Sequence, residues 1–275
     1  DKQGEIADYN EAIRLNPNYA LAYNNRGKAK KDLGDKEGAI ADFNEAIRLN
    51  PSFALAYNNR GIVKYELGDK QGAIADYNEA IRLNPNFADA YYNRGGAKYE
   101  LGDKQGAIAD FNEAIRLNPN FALAYGSRGV AKGDLGDKQG AIADYNEAIR
   151  LKPDFAFPYN GRGIVKYELG DKQGAIADYN EAIRLNPNFA EPYNNRGNAK
   201  KDLGDKQGAI ADYNEAIRLN PNFADAYYNR GLIKKERGEK QEALADFRKA
   251  SEFYQQQGNI ERYNKSLDRI KELGG

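Results

Sequence analysis

Asp76 and Glu79 stand three residues apart. On a helix that spacing puts two carboxylates on one face, where a pair could share acid–base work. The pair recurs at one place throughout, as Asp110 and Glu113, Asp144 and Glu147, Asp178 and Glu181. A catalytic dyad would be singular, so the recurrence reads as a solvated helix face, and the chain reads as no enzyme. The 275 residues contain no His, Cys, Met or Trp. Zinc fingers, haem ligation, iron–sulfur clusters, thiol nucleophiles and Ser-His-Asp triads are therefore closed to them, and neither cofactor nor metal is expected. Lys plus Arg is 41 and Asp plus Glu is 41. That balance gives no electrostatic case for nucleic acid or an anionic membrane. No apolar run approaches the roughly 20 residues of a membrane span, and nothing at the start reads as a signal peptide. What remains is recognition by a surface. Asn25, Asn59, Asn93, Asn195 and Asn229 recur at equivalent places, with Ser127 and Gly161 in the two other units. An amide offers two donors and an acceptor. Such a row could hydrogen-bond the main chain of an extended peptide, or simply bond a neighbouring helix.

The elements that would position these residues come from an internal period. Prolines stand at Pro17, Pro51, Pro85, Pro119, Pro153, Pro187 and Pro221, a constant step of 34. A fixed period of this size means stacked supersecondary units rather than one closed core. Within residues 54–87, Ala54 to Leu67 has no proline and ends at Gly68, which suits the left-handed turn past a helix. Asp69 can cap a second helix, on which Ile74, Tyr77, Ile81 and Leu83 run at helical spacing with Ala73 and Ala80. Asn84-Pro85 stops it, because proline disfavours helical geometry in the residue before it. Gly61 and its equivalents sit inside the first helix, where glycine costs about 1 kcal/mol against alanine. Close helix–helix approach explains that cost, with Tyr57 and Tyr77 filling the spaces between.

Tyr57, Gly61, Ala73, Tyr77, Ala80 and Pro85 follow one another in the order and spacing of a known motif, and the chain resembles the tetratricopeptide repeat (TPR) family in a many-repeat, bacterial-type form. The resemblance implies an all-α, right-handed superhelical solenoid of antiparallel helix pairs, with the first helices lining its concave side. There are departures. Tyr57 replaces the usual Trp, Arg60 stands where Leu is expected, and Lys64 where an aromatic is expected. Their stems can cover apolar surface while the charge reaches water.

The period divides the chain into units 20–53, 54–87, 88–121, 122–155, 156–189, 190–223 and 224–257. Residues 1–19 form the second helix of a further, truncated unit. The chain opens on that half unit and lacks a starting Met, so it reads as a piece of a longer array. At the other end, residues 258–275 read as a capping helix, with Ile260, Tyr263, Leu267 and Ile270 on its inner side.

The second helices are nearly identical, whereas the first helices differ at four positions. In residues 54–87 these are Leu55, Asn58, Ile62 and Tyr65. Exposed residues of the second helix, among them Asp76, Asn78 and Arg82, barely vary, so drift alone does not explain the contrast. The stripe and the asparagine row together define a peptide-binding groove of Asn25, Asn59, Asn93, Asn195, Asn229, Leu55, Tyr65, Tyr99, Phe157 and Tyr167. Gly126, Ser127, Gly133 and Gly161 strip side chains from its centre, which suggests a wider pocket there. Some TPR modules bind acidic chaperone C-termini through a Lys-containing carboxylate clamp. No unit supplies that Lys, which argues against such a partner. The expected function is a non-catalytic scaffold for a protein or peptide partner. The alternative is a structural array that stacks end to end through its uncapped N-terminal face. Absent cysteine fits a reducing cytoplasm and fits other compartments equally.

Overall fold

The computed structural model describes residues 1–275 and contains helices and turns with no strand. The chain divides into two compact units, Asp1–Gly140 and Ala141–Gly275. The first holds α1 (Lys2–Leu15), α2 (Ala20–Asp32), α3 (Lys36–Leu49), α4 (Ala54–Glu66), α5 (Lys70–Leu83), α6 (Ala88–Glu100), α7 (Lys104–Leu117) and α8 (Ala122–Asp134). The helix α9 (Lys138–Leu151) crosses the division. The second unit continues with α10 (Ala156–Glu168), α11 (Lys172–Leu185), α12 (Ala190–Asp202), α13 (Lys206–Leu219), α14 (Ala224–Glu236), α15 (Lys240–Gln256) and α16 (Ile260–Glu272). Within each unit a helix packs chiefly on its neighbours in sequence, which is the contact pattern of a solenoid.

Local sequence sets most boundaries, although the first helices begin without a side-chain cap. Asp69 accepts from the backbone N–H of Gly72 at 2.9 Å and so caps α5; Asp35, Asp103, Asp171 and Asp205 do the same for their helices. Gly68 takes φ +88°, the left-handed turn that ends α4. Asn84 leaves α5 in extended geometry ahead of Pro85, and its side chain accepts from Asn86 N–H at 3.1 Å. The core is built of small residues around a ring: Ala73 and Ala80 are fully buried and Tyr77 is nearly so. A Cβ added to Gly61 would lie 2.6 Å from Tyr77 Cε1, so the close approach inferred from its glycine is real.

The polar residues differ from expectation. Arg60 does not send its charge to water. Its Nε and Nη2 bind both oxygens of Asp76 at 2.9 and 2.6 Å, and Nη1 reaches Asn44 Oδ1 at 2.7 Å on the preceding α3. Lys64 Nζ adds a contact to Asp76 at 2.9 Å, and the guanidinium lies 5.4 Å from the Tyr57 ring. One arginine thus ties three helices. The same set recurs at Arg26, Arg94, Arg162, Arg196 and Arg230. Asp76 is buried, not solvated. Its constancy and that of Asn78, which accepts from Arg94, therefore reflect packing and carry no weight against drift. Glu79 turns the other way, to Arg82 at 2.6 Å, so the two carboxylates do not converge on one site.

On α16, Tyr263 and Ile270, with Leu273 just past the helix end, pack on a core containing Phe247, Phe253 and Tyr254, and Ser266 is fully buried. Ile260, at the helix start, is 60% exposed, while Tyr263, Leu267 and Ile270 are half-buried, so three of the four expected inner residues face the core.

Candidate functional site

The expected groove residues fall into three structural settings. The first is the asparagine row. Asn59 Nδ2 donates to Asn24 Oδ1 at 3.0 Å, Asn93 to Asn58 at 3.0 Å, Asn195 to Asn160 at 3.1 Å and Asn229 to Asn194 at 3.2 Å. Asn25 accepts from Asn24 Nδ2 at 3.1 Å. In four of the five the amide NH2 bonds the preceding first helix, which is the plainer of the two roles open to it. The acceptors are buried, and so the stripe of four variable positions is not one exposed face: Asn24, Asn58, Asn160 and Asn194 face protein. They must, because each receives the next unit's bond.

The second setting is the tyrosine row at the ends of first helices. Tyr99 Oη donates to Asp134 Oδ2 at 2.6 Å, Tyr167 donates to Asp202 Oδ2 at 2.6 Å, and Tyr65 donates to Glu100. Burial, then the bonded carboxylate, pushes the Tyr99 and Tyr167 phenols up to about 12. These groups stay protonated donors across the physiological range. Their hydroxyls brace neighbouring helices while their rings stay partly open.

The third setting is the start of the first helices, where Leu21, Leu55, Leu123 and Phe157 remain in solvent at 36–47% exposure. Phe157 lies 5.8 Å from Phe155 and, with Leu185 and Phe189, lines a shallow hollow of about 330 Å³ beside the interhelix loops of the second unit.

In the first unit, Tyr65 and Asn93 come together with residues that spacing did not single out. They line a hollow of about 280 Å³ that α4, α6 and α8 enclose. Tyr77, assigned to core filling, reaches it with its hydroxyl end, and Glu66 stands at its edge. Gly96 opens it: a Cβ there would meet nothing within 4 Å. The sequence did carry a signal, since the equivalent positions hold Lys28, Ile62, Val130, Ile164, Asn198 and Leu232. The wider pocket expected around 126–161 is corrected at one wall, because a Cβ on Gly161 would lie 2.6 Å from Tyr145 Cζ; that ring occupies the space. Open space at Gly96 also gives a stability test. Gly96→Ala should raise helix stability by about 0.5–1 kcal/mol, read as a higher urea midpoint. A lower midpoint would show a contact that the structure does not contain.

Models of the TPR repeat match residues 6–34, 27–68, 63–102, 133–170, 165–204 and 197–238, and models of the tetratricopeptide repeat match 88–121 and 224–257. The chain belongs to the tetratricopeptide repeat family. Among solved structures, this TPR chain is similar to the APC/C hetero-tetramer Cut9–Hcn1, at 19% identity and a TM-score of 0.78, over 98% of this chain and 52% of that one. It thus spans about half the length of that relative. A tetratricopeptide repeat protein from Parabacteroides merdae ATCC 43184 matches at 23% identity and a TM-score of 0.72, over 94% of this chain and 98% of that one. YrrB, described as a TPR protein with an unusual peptide-binding site, matches at 22% identity and 0.56, over 70% of this chain and 97% of that one. At these identities the likeness is one of fold. Nothing among the curated proteins matches the chain. No helix is long and apolar enough to cross a membrane.

Proposed function

We propose that this TPR chain is a non-catalytic scaffold that holds a segment of a partner protein against the open face of its first helices. TPR arrays are protein-interaction scaffolds in general. The finer reading rests on one observation. Each first helix begins with a position that varies between units, and in four of the seven it holds a solvent-exposed apolar side chain, Leu21, Leu55, Leu123 or Phe157. Solvated apolar side chains on a fixed framework are what an interface core needs before its partner arrives. Asp89 and Glu191 stand there exposed in two other units and would set register by charge, while Asp225 in the last is held by Tyr254 Oη at 2.5 Å. Tyr65, Tyr99 and Tyr167 contribute half-open rings. Asn59, Asn93 and Asn229 would contribute carbonyl oxygens, their NH2 groups being spent on the framework, whereas the oxygens of Asn25 and Asn195 already accept from Asn24 and Asn194. No Lys occupies the clamp positions, so acidic chaperone tails are not the partner class proposed. YrrB's peptide-binding site is that protein's own, and supports the reading only by kinship of fold.

The test is a pull-down with the chain and with a Leu21→Ser, Leu55→Ser, Leu123→Ser variant. A partner captured by the first and lost by the second, at unchanged helicity, is the expected result. Equal capture by both sinks the proposal.

End-to-end stacking is the second reading. The helix α1 buries no residue and leaves Leu15 70% exposed, which favours it. Against it, Glu5 stands where Ala73 is fully buried in residues 54–87. A stacked copy would have to desolvate that carboxylate at a cost of several kcal/mol. Light scattering should therefore give one monomer mass across a concentration series, and growth in mass with concentration would revive stacking.

A further inference from the structure

The hollow at Gly96 has a lining that its counterpart in the second unit does not share. Its volume of about 280 Å³ lies just under the roughly 300–1,000 Å³ of pockets that take whole small ligands. It is ample for one side chain, since an apolar cavity of about 150 Å³ holds a benzene molecule. Tyr65, Tyr77 and Tyr92 line it with Glu66, Asn93 and Ser127, and no Lys or Arg is among its walls. Its unspent polar groups can all accept. Tyr77 is 2% exposed, yet its hydroxyl ends at the hollow without a hydrogen-bond partner. Asn93 gives its NH2 to Asn58, which leaves its carbonyl oxygen to accept. Glu66 is held by Lys36 at 3.3 Å and adds a carboxylate at the rim.

The second unit provides an internal comparison. Ile164, Tyr167, Glu168 and Tyr179 repeat Ile62, Tyr65, Glu66 and Tyr77. There, however, Asn194 and Asn198 stand where Tyr92 and Gly96 stand, and Asn198 accepts from Tyr213 Oη at 2.8 Å. The third tyrosine and the open space belong to the first unit's site.

We propose that this hollow is a cage for one basic side chain, arginine or lysine, of the segment held in the groove. The inference rests on the groove reading above. A cation is attracted to tyrosine ring faces, and more strongly where water is excluded. Its aliphatic stem would lie along Ile62, while its donors meet the Asn93 carbonyl, the Tyr77 hydroxyl and the Glu66 carboxylate. A phenylalanine would fill the same volume and leave every one of those acceptors without a donor.

The experiment titrates the 15N-labelled full chain with N-acetyl-arginine methylamide, N-acetyl-lysine methylamide and N-acetyl-phenylalanine methylamide. The basic probes should give saturable millimolar shifts at the amides of Asn93 and Gly96, with the phenylalanine probe about three- to fivefold weaker. Gly96→Asn should abolish the response. At 198 the same residue is held by Tyr213, whereas Phe111 stands at the equivalent place here, so unchanged circular dichroism of Gly96→Asn is the control that its fold is intact. Glu66→Gln should weaken the basic probes about threefold, the effect of losing one exposed ion pair. The cage is overturned by no saturable shift, by an equal response to phenylalanine, or by a response that survives Gly96→Asn. A partner captured equally by the chain and by Gly96→Asn overturns the cage and leaves the groove standing. Saturation by the basic probes with no partner captured upholds the cage and removes the groove.

Discussion

Replacing Asp76 with alanine should destabilise residues 54–87 by about 3–5 kcal/mol, the cost of breaking a buried ion pair from one side. Asp76 is only 4% exposed and receives two bonds from Arg60 and a contact from Lys64. Without it, two cations face each other with no counter-charge, and the Arg60 guanidinium keeps only its bond to Asn44 and the Tyr57 ring. Removing all three charges at once, in Asp76→Leu, Arg60→Leu, Lys64→Leu, should cost less than Asp76→Ala alone, because it leaves no orphaned ion. Hydrogen exchange at α4 and α5 reads the effect locally, which matters in an array where unfolding need not be all-or-none. If the triple variant is the less stable, the network contributes net stability and the desolvation argument fails.

Removing the ring of Phe111 should cost a similar amount, about 3–5 kcal/mol. The ring is 2% exposed, packs at 5.8 Å on Tyr92, and would stand 2.7 Å from a Cβ on Gly95. The ring and the glycine are therefore one design. Gly95→Ala in the native chain forces the added methyl against a ring edge, and that overpacking should cost about 1–3 kcal/mol, outweighing the helix-propensity gain. In the Phe111→Ala background the same substitution should stabilise by up to about 1 kcal/mol, since the clash is gone and the propensity gain remains. The sign reversal in a double-mutant cycle is the expected result. An unchanged sign would mean that Gly95 is kept for backbone reasons and not for the ring.

Much of this was legible in the letters because it is local or repeated. Asp69 as a cap, Gly68 as a left-handed turn and Pro85 as a stop each act within a few residues, and the structure contains all three. Gly61 was readable as a close approach because an unfavourable residue recurred without fail. The Arg60 network was not readable, because its partners lie sixteen residues away on either side and on different helices. Asp76 looked solvated only because polar residues usually are. Its invariance together with Arg60 and Asn78 was the available signal. The site was legible in part. Tyr65 and Asn93 are drawn together as spacing suggested, but the hollow is opened by Gly96 and lined by Tyr77, and of the residues expected to widen the groove at 126–161 Ser127 alone lines it. Phe157 lies apart from these, beside loops of the second unit.

The arginine and asparagine bonds have a property that bears on how such a gene changes length. Each joins a residue to one fixed offset in the adjoining repeat, as from Arg60 to Asn44 or from Asn93 to Asn58. Unequal crossing-over between near-identical coding segments would excise or add a whole repeat. The junction would still present an arginine to an asparagine and an amide to its acceptor. Exceptions lie where the partner residue itself has changed, as at Tyr92, Gly126, Ser127 and Gly161. A recombination event that moved those repeats would leave a mismatched seam. At those places the bonding between repeats depends on their order and not only on their number.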